Sequence, residues 1–356
     1  MTRTREAALS PSHVSTGSLP GAPIVSALVA EAHELYRSSA EGEPSQVYPA
    51  LAGADPNLFG VCVVGVNGAV FTAGDADHPF TIMSVAKPFV FALLCQALGA
   101  DEARRLVGAN ATGLPFNSAS AVERVPDGRT NPMVNPGAIA TTSLIPGGGE
   151  EKWDAILRGL SAFAGRDLAV DEDTYASASA TNHVNRAAVN LLHSRGALGA
   201  EPELALDLYT RQSCVQITAR DLATMGATLA DGGVNPVTGE RVLDEDLCHP
   251  VLAVMLTAGL YETSGDWLYE VGLPGKSGIG GGIVTISPGK GGLASFSPPL
   301  DDAGNSVKGQ LVARHLARRL GLDLLQSTAQ IQVTREPRRA KATAVDARSQ
   351  SSATHR

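Results

Sequence analysis

Strand-like segments lie near both ends of this chain, and a long helical stretch separates them. Phe59 to Val66 is a Val-rich apolar run, followed by Asn67-Gly68 and then Ala69 to Ala73. Two apolar runs joined by Asn-Gly predict a hairpin, because both turn residues tolerate positive φ. Far downstream, Gly275 to Ser287 and Gly292 to Ser297 are Gly-punctuated β-like runs separated by Pro288-Gly289. Helical patterns dominate in between, from about Ala138 to Leu256. Strands from both ends can join one antiparallel sheet, with the middle forming a second body and a cleft between the two. The expected fold is α/β (α+β): an antiparallel sheet flanked by helices, plus a helical lobe.

The flanking helices are readable from their spacing. Pro23 opens a pattern in which Ile24, Val25, Leu28, Val29, Ala32, Leu35 and Tyr36 share one face. Ser306 to Leu320 carries Val307, Leu311, Val312, His315, Leu316 and Leu320 along one side. Ser84 to Leu98 reads as a buried helix closed by Gly99. Gly108 to Pro136 is loop-like, and Thr218-Ala-Arg-Asp221 resembles a capping box. The expected organisation is a disordered leader at 1–22 and a folded region at 23–326. Within that region the sheet lobe covers about 23–83 and 265–326, and the helical lobe about 84–264. A disordered basic tail follows at 327–356.

Composition narrows the class. With 356 residues, 44% of them hydrophobic, the chain can bury a full core. No apolar run reaches the roughly 18 residues that span a bilayer, so no membrane partner is expected. Cys62, Cys95, Cys214 and Cys248 are few and unclustered, which fits a reducing cytoplasm better than a disulfide scaffold or a zinc site. His183, His193 and His249 are scattered, and no metal is expected. The net charge of −8 is uneven: residues 327–356 hold six basic side chains against Glu336 and Asp346, leaving the body at −12. An acidic body argues against nucleic acid as partner.

Ser84-Val-Ala-Lys87 is the sharpest chemical feature. It falls where an extended segment, Phe80 to Met83, turns into the apolar helix, and Pro88 fixes the helix start near Ser84. Ser84 and Lys87 then share a face. A lysine made neutral by burial can take the serine proton, and a helix N-terminus favours the negative charge that develops. Lys276-Ser277-Gly278 is the second feature, followed by Ile279 and three glycines that admit a close backbone or substrate. S-x-x-K with a later K-[ST]-G strand is the signature pair of acyl-serine β-lactamases and penicillin-binding proteins. The third is Asn131-Pro-Met-Val-Asn135, whose two amides suit recognition of an amide or amino acid, or serve as caps.

The sequence resembles the serine-dependent glutaminases from about Ile24 to Leu325. The resemblance rests on ordered strings: Phe116-Asn-Ser118, Asn131 to Asn135 with Gly137-Ala-Ile139, Tyr209-Thr-Arg-Gln212, Thr218 to Leu222, Gly232 to Pro236, Lys276-Ser-Gly278, Pro288 to Gly292 and Ser297 to Leu300. It implies a β-lactamase/penicillin-binding-protein-like fold and hydrolysis of L-glutamine to L-glutamate and ammonia, with no cofactor. Ser84 matches the nucleophile, Lys87 the general base and Tyr261 a proton relay. Asn135, Asn185, Tyr209, Tyr261 and Ile279 match positions lining the glutamine pocket, with Ile279 acting through its backbone. Lys276 is a supporting residue. A homodimer or homotetramer is expected from relatives. The chain departs from the family at Ala178 and Val184, where relatives carry Glu and Arg; that Glu helps hold the substrate's α-amino group, and Glu123 or Asp127 could stand in for it. Two other readings stay open on these residues: an acyl-serine amidase acting on another small amide, and a non-catalytic glutamine-binding protein.

Overall fold

In the computed structural model, which describes residues 17–326, strands from before and after the helical middle meet in one sheet. Strand β1 (Gly60–Gly65) forms a hairpin with β2 (Val70–Gly74). Two further strands pair with each other, β3 (Phe80–Thr81) with β4 (Gln216–Ile217). Near the C-terminal end come β5 (Gly275–Ser277), β6 (Gly282–Ser287) and β7 (Gly291–Phe296). The main sheet runs β2-β1-β7-β6-β5, and every neighbouring pair is antiparallel. Residues 1–16 of the expected leader and the basic tail 327–356 lie outside the described residues, whereas the last part of that leader is ordered: Leu19 packs against the core and the first helix already begins at Ala22.

Both faces of the sheet are covered, which is why β1, β6 and β7 are buried along their whole length. Alternate residues point to opposite faces of a strand. Val61, Val63, Ile283 and Leu293 accordingly join the helices Ala22–Tyr36 and Val307–Arg319 in one core. Cys62, Val64, Val284, Ile286 and Phe296 face the other core, with the helix Ala219–Ala230 and the helices behind it. Gly226 and Gly292 allow that helix to lie directly on the sheet. A Cβ at Gly292 would fall 2.3 Å from the Ala223 oxygen, and one at Gly226 would fall 2.8 Å from Val284. The helix begins with the expected capping box: Thr218 accepts from the Asp221 N–H, and the Asp221 carboxylate accepts from the Thr218 N–H.

Three local expectations shift. The hairpin loop is longer than Asn-Gly alone: Gly65 N–H donates to the Ala69 carbonyl, and only Gly68 has positive φ, at 79°. The extended segment before Ser84 stops at Thr81: Ile82 already has helical angles, φ −60° and ψ −34°, and Met83 then takes φ 47°. The α-helix begins at Lys87 rather than Ser84, after a 3-10 turn over Met83–Ala86. Pro88 explains this start. It has no N–H to give the Ser84 carbonyl, which accepts from the Lys87 N–H instead and tightens the turn.

Candidate active site

Ser84 sits at a sharp strand-to-helix bend. Met83, just before it, is in the left-handed region that β-branched and bulky residues avoid. Non-Gly residues held there cluster where surrounding structure fixes a functional group. The bend is held from the other side by the glycines after β5. A Cβ at Gly278 would meet Val85 at 2.9 Å, and one at Gly280 would meet the Thr81 oxygen at 2.5 Å. The Lys-Ser-Gly strand can therefore press against the turn that carries Ser84, and Ile279 reaches the same pocket as the serine.

Lys87 lies one turn on and is completely buried, as part of the helix Lys87–Leu98. Its Nζ donates to the Asn135 Oδ1 at 2.7 Å and to the Met133 carbonyl at 3.3 Å. Desolvation pushes its pKa down to about 7. Lys276 is buried as well; its Nζ donates to the Ser277 carbonyl at 2.6 Å and lies 4.2 Å from the centre of the Tyr261 ring. Burial first, and then the proximity of Lys87, hold its pKa well below the usual lysine range.

Tyr261 has the second strained backbone, at φ 57°. Its hydroxyl donates to the Ser277 carbonyl at 3.2 Å, and its ring packs on Phe116 with centres 4.4 Å apart. Burial pushes the phenol pKa up, and the Ser84 side chain beside it partly counters that push. The phenol therefore stays protonated at neutral pH.

Asn135, the first residue of the helix Asn135–Leu144, is the hub of an amide chain rather than a cap. Its Oδ1 accepts from Lys87 and from the Tyr209 hydroxyl at 3.1 Å, which fixes which end of the amide is oxygen. Its Nδ2 donates to Asn185 at 2.8 Å; Asn185 donates to Asn182 at 2.6 Å, and Asn182 to Thr210 at 2.9 Å. Asn131, the other amide of the motif, braces the loop instead: it donates to the Asn110 carbonyl and accepts from the Met133 N–H.

These groups surround a pocket of about 160 Å³, lined among others by Ser84, Asn135, Asn185, Tyr209 and Ile279. Lys87, Tyr261 and Lys276 stand behind that lining, tied to it by the contacts above. Ser84, Lys87, Asn135, Asn185, Tyr209, Tyr261, Lys276 and Ile279 thus come together here. Reasoning from sequence missed Tyr48 and Asn182. Tyr48 comes from an irregular segment, and Asn182 precedes the helix His183–Ser194, where an amide reads as a cap. Neither suggested stand-in for the family Glu reaches the pocket. Glu123 is exposed, and Asp127 pairs with Arg129 at 2.6 Å. Ala178 is buried beside Met83 and Cys214, while Val184 lines the pocket mouth with 56% exposure. The three scattered histidines are exposed, and no cluster of three or more His, Cys, Asp or Glu that could hold a metal occurs among the described residues. The four cysteines are buried free thiols.

A helix-flanked antiparallel sheet here carries a small polar pocket with a serine in its lining and a desolvated lysine behind it, an arrangement of the hydrolase class. Comparison with known proteins narrows that class. The glutaminase family profile matches residues 42–325. Glutaminase 2 of Yersinia pestis is 61% identical over 316 residues, covering 88% of this chain and 93% of its own. The solved structure of the probable glutaminase YbaS superposes with a TM-score of 0.85 at 42% identity, over 86% of this chain and all of that one. The crystal structure of Mglu in its glutamate form gives 0.81 at 36% identity, over 86% and 71% of the two chains. The chain belongs to the glutaminase family of enzymes.

Proposed function

We propose that this enzyme hydrolyses L-glutamine to L-glutamate and ammonia through an ester on Ser84, on a β-lactamase/penicillin-binding-protein-like fold. The observation that carries the mechanism is the bonding of Lys87. A neutral amine has two N–H donors and one lone pair. Both donors have acceptors, Met133 and Asn135, which leaves the lone pair free to take up a proton, and in this reading that proton comes from Ser84, three residues back. A pKa near 7 puts a large fraction of the amine in that form at neutral pH.

The freed Ser84 oxygen attacks the side-chain carboxamide carbon. The backbone N–H groups of Ser84 and Ile279 would hold the resulting oxyanion, and such a donor is typically worth roughly 3–4 kcal/mol. Tyr261, kept protonated, hands a proton to the departing nitrogen and recovers one from the Lys87 side, so the C–N bond breaks with loss of ammonia. Water then adds to the ester and the same groups release the carboxylate. Lys276 holds the Tyr261 ring and the Ser277 carbonyl in place. The glutamate form of Mglu supports glutamate as the product that such a pocket holds. Steady-state ammonia release from L-glutamine, L-asparagine and D-glutamine tests the reading. Turnover of L-glutamine above the other two is expected; binding of L-glutamine without turnover would refute it. Assembly as a homodimer or homotetramer in the cytoplasm completes the proposal, with sedimentation velocity as its check.

A further inference from the structure

Three buried amides behind Ser84 form one directed chain of bonds. Lys87 Nζ donates to the Asn135 oxygen, Asn135 Nδ2 to the Asn185 oxygen, Asn185 Nδ2 to the Asn182 oxygen, and Asn182 Nδ2 to the Thr210 hydroxyl. That hydroxyl gives its one proton to the Leu206 carbonyl at 2.7 Å. Towards Asn182 it can therefore only accept. Asn182 must present its nitrogen to Thr210, which leaves its oxygen for Asn185. The same constraint passes to Asn185 and on to Asn135.

The Lys87 end lacks such an anchor once the base is ready to act. As an ammonium, Lys87 can only donate, and it holds the Asn135 oxygen towards itself. As a neutral amine it can also accept. The Tyr209 hydroxyl at the Asn135 oxygen and the Tyr48 hydroxyl at the Asn182 oxygen can each donate or accept. A turned Asn135 would aim an N–H at the amine and occupy the lone pair that the Ser84 proton needs. Thr210 is 4% exposed and stands outside the pocket lining, so it acts only through the chain.

We propose that Thr210 is a positioning residue: through Asn182 and Asn185 it fixes the direction of the amide chain and keeps the Asn135 oxygen towards Lys87. This rests on the glutaminase reading and adds a residue to its machinery. A turned Asn135 would also disfavour the lysine cation, so the acidic limb of the pH profile reports its orientation. The other titratable groups about Lys87 are Tyr209 and Tyr261, whose phenols burial pushes up, and Lys276, whose amine burial pushes down. Of these only Tyr209 bonds the Asn135 oxygen.

The test is the pH profile of kcat/KM for ammonia release from L-glutamine by the wild type, Thr210→Val, Thr210→Ser and Asn182→Ala, with circular dichroism to verify each fold. Thr210→Val keeps the side chain's shape and removes the acceptor. Its plateau should fall about fivefold or more, and its acidic limb should move down by about half a unit or more. Asn182→Ala cuts the same link and should do the same. Thr210→Ser keeps the hydroxyl and should stay within about threefold of the wild type, with the limb in place. A folded Thr210→Val enzyme with a smaller loss, or with a limb that does not move down, overturns the proposal, and so does a Thr210→Ser enzyme that behaves like Thr210→Val. Should Thr210→Val fail to fold, Asn182→Ala is judged by the same limits. Absence of ammonia release by the wild type would instead overturn the glutaminase reading.

Discussion

Lys87 ties the chemistry to a stability cost. Its pKa is about 7 in the folded protein and that of an ordinary lysine in the unfolded chain. Between these values the unfolded state binds more protons, so this group's contribution to stability rises as pH climbs from about 7 toward 10.5. Below pH 7 its full penalty stands, at most about 5 kcal/mol. Lys87→Met should therefore be inactive yet gain thermal stability, with a larger gain at pH 6 than at pH 9 in paired melting curves. In the wild type, kcat/KM should fall about tenfold per unit below pH 7 as the amine protonates. Asn135→Asp places a carboxylate 2.7 Å from the Lys87 amine, so the acidic limb should move up by about 1–3 units, read from the pH profile. The roles of Asn135 and Asn182 show the limit of reading residues in isolation. A helix-start amide looks like a cap, and only the fold reveals that its partners come from sequence positions some fifty residues apart.

At the scale of elements, the sequence carried the periodic pieces and blurred the short ones. The two amphipathic helices, the hairpin and the capping box were legible because burial on one face or a fixed cap spacing leaves a pattern. Strand β4 was not. Two residues, Gln216 and Ile217, are too few to show a period, and their pairing with β3 depends on distant chain. The bend at Met83 was also hidden, because a bulky residue at positive φ breaks the local preference that sequence reading relies on. Two substitutions probe the contacts that fix the elements. Gly292→Ala pushes a methyl into the backbone of the covering helix and should lower stability by about 2–3 kcal/mol, seen as a drop in Tm. Gly278→Ala crowds Val85 beside the nucleophile; it should lower kcat more than tenfold while the far-ultraviolet circular dichroism stays unchanged.

Over the whole molecule, one architectural decision makes the site. The strands nearest the two ends of the chain close into a single sheet, which sets the Lys-Ser-Gly strand against the turn that carries Ser84, although 192 residues separate Lys276 from Ser84. The helices between them supply Asn135, Asn185 and Tyr209 to the opposite wall of the pocket. The general plan was readable because strand and helix patterns occupy separate stretches of sequence. The bond network was not, since it joins residues whose spacing carries no period. The most direct test of the account is ammonia release from L-glutamine by wild-type enzyme and by Ser84→Ala at pH 8, with circular dichroism to verify the fold. The account predicts steady release by the wild type and only the uncatalysed background from the folded variant. A folded Ser84→Ala enzyme that keeps more than a hundredth of the wild-type rate would contradict it.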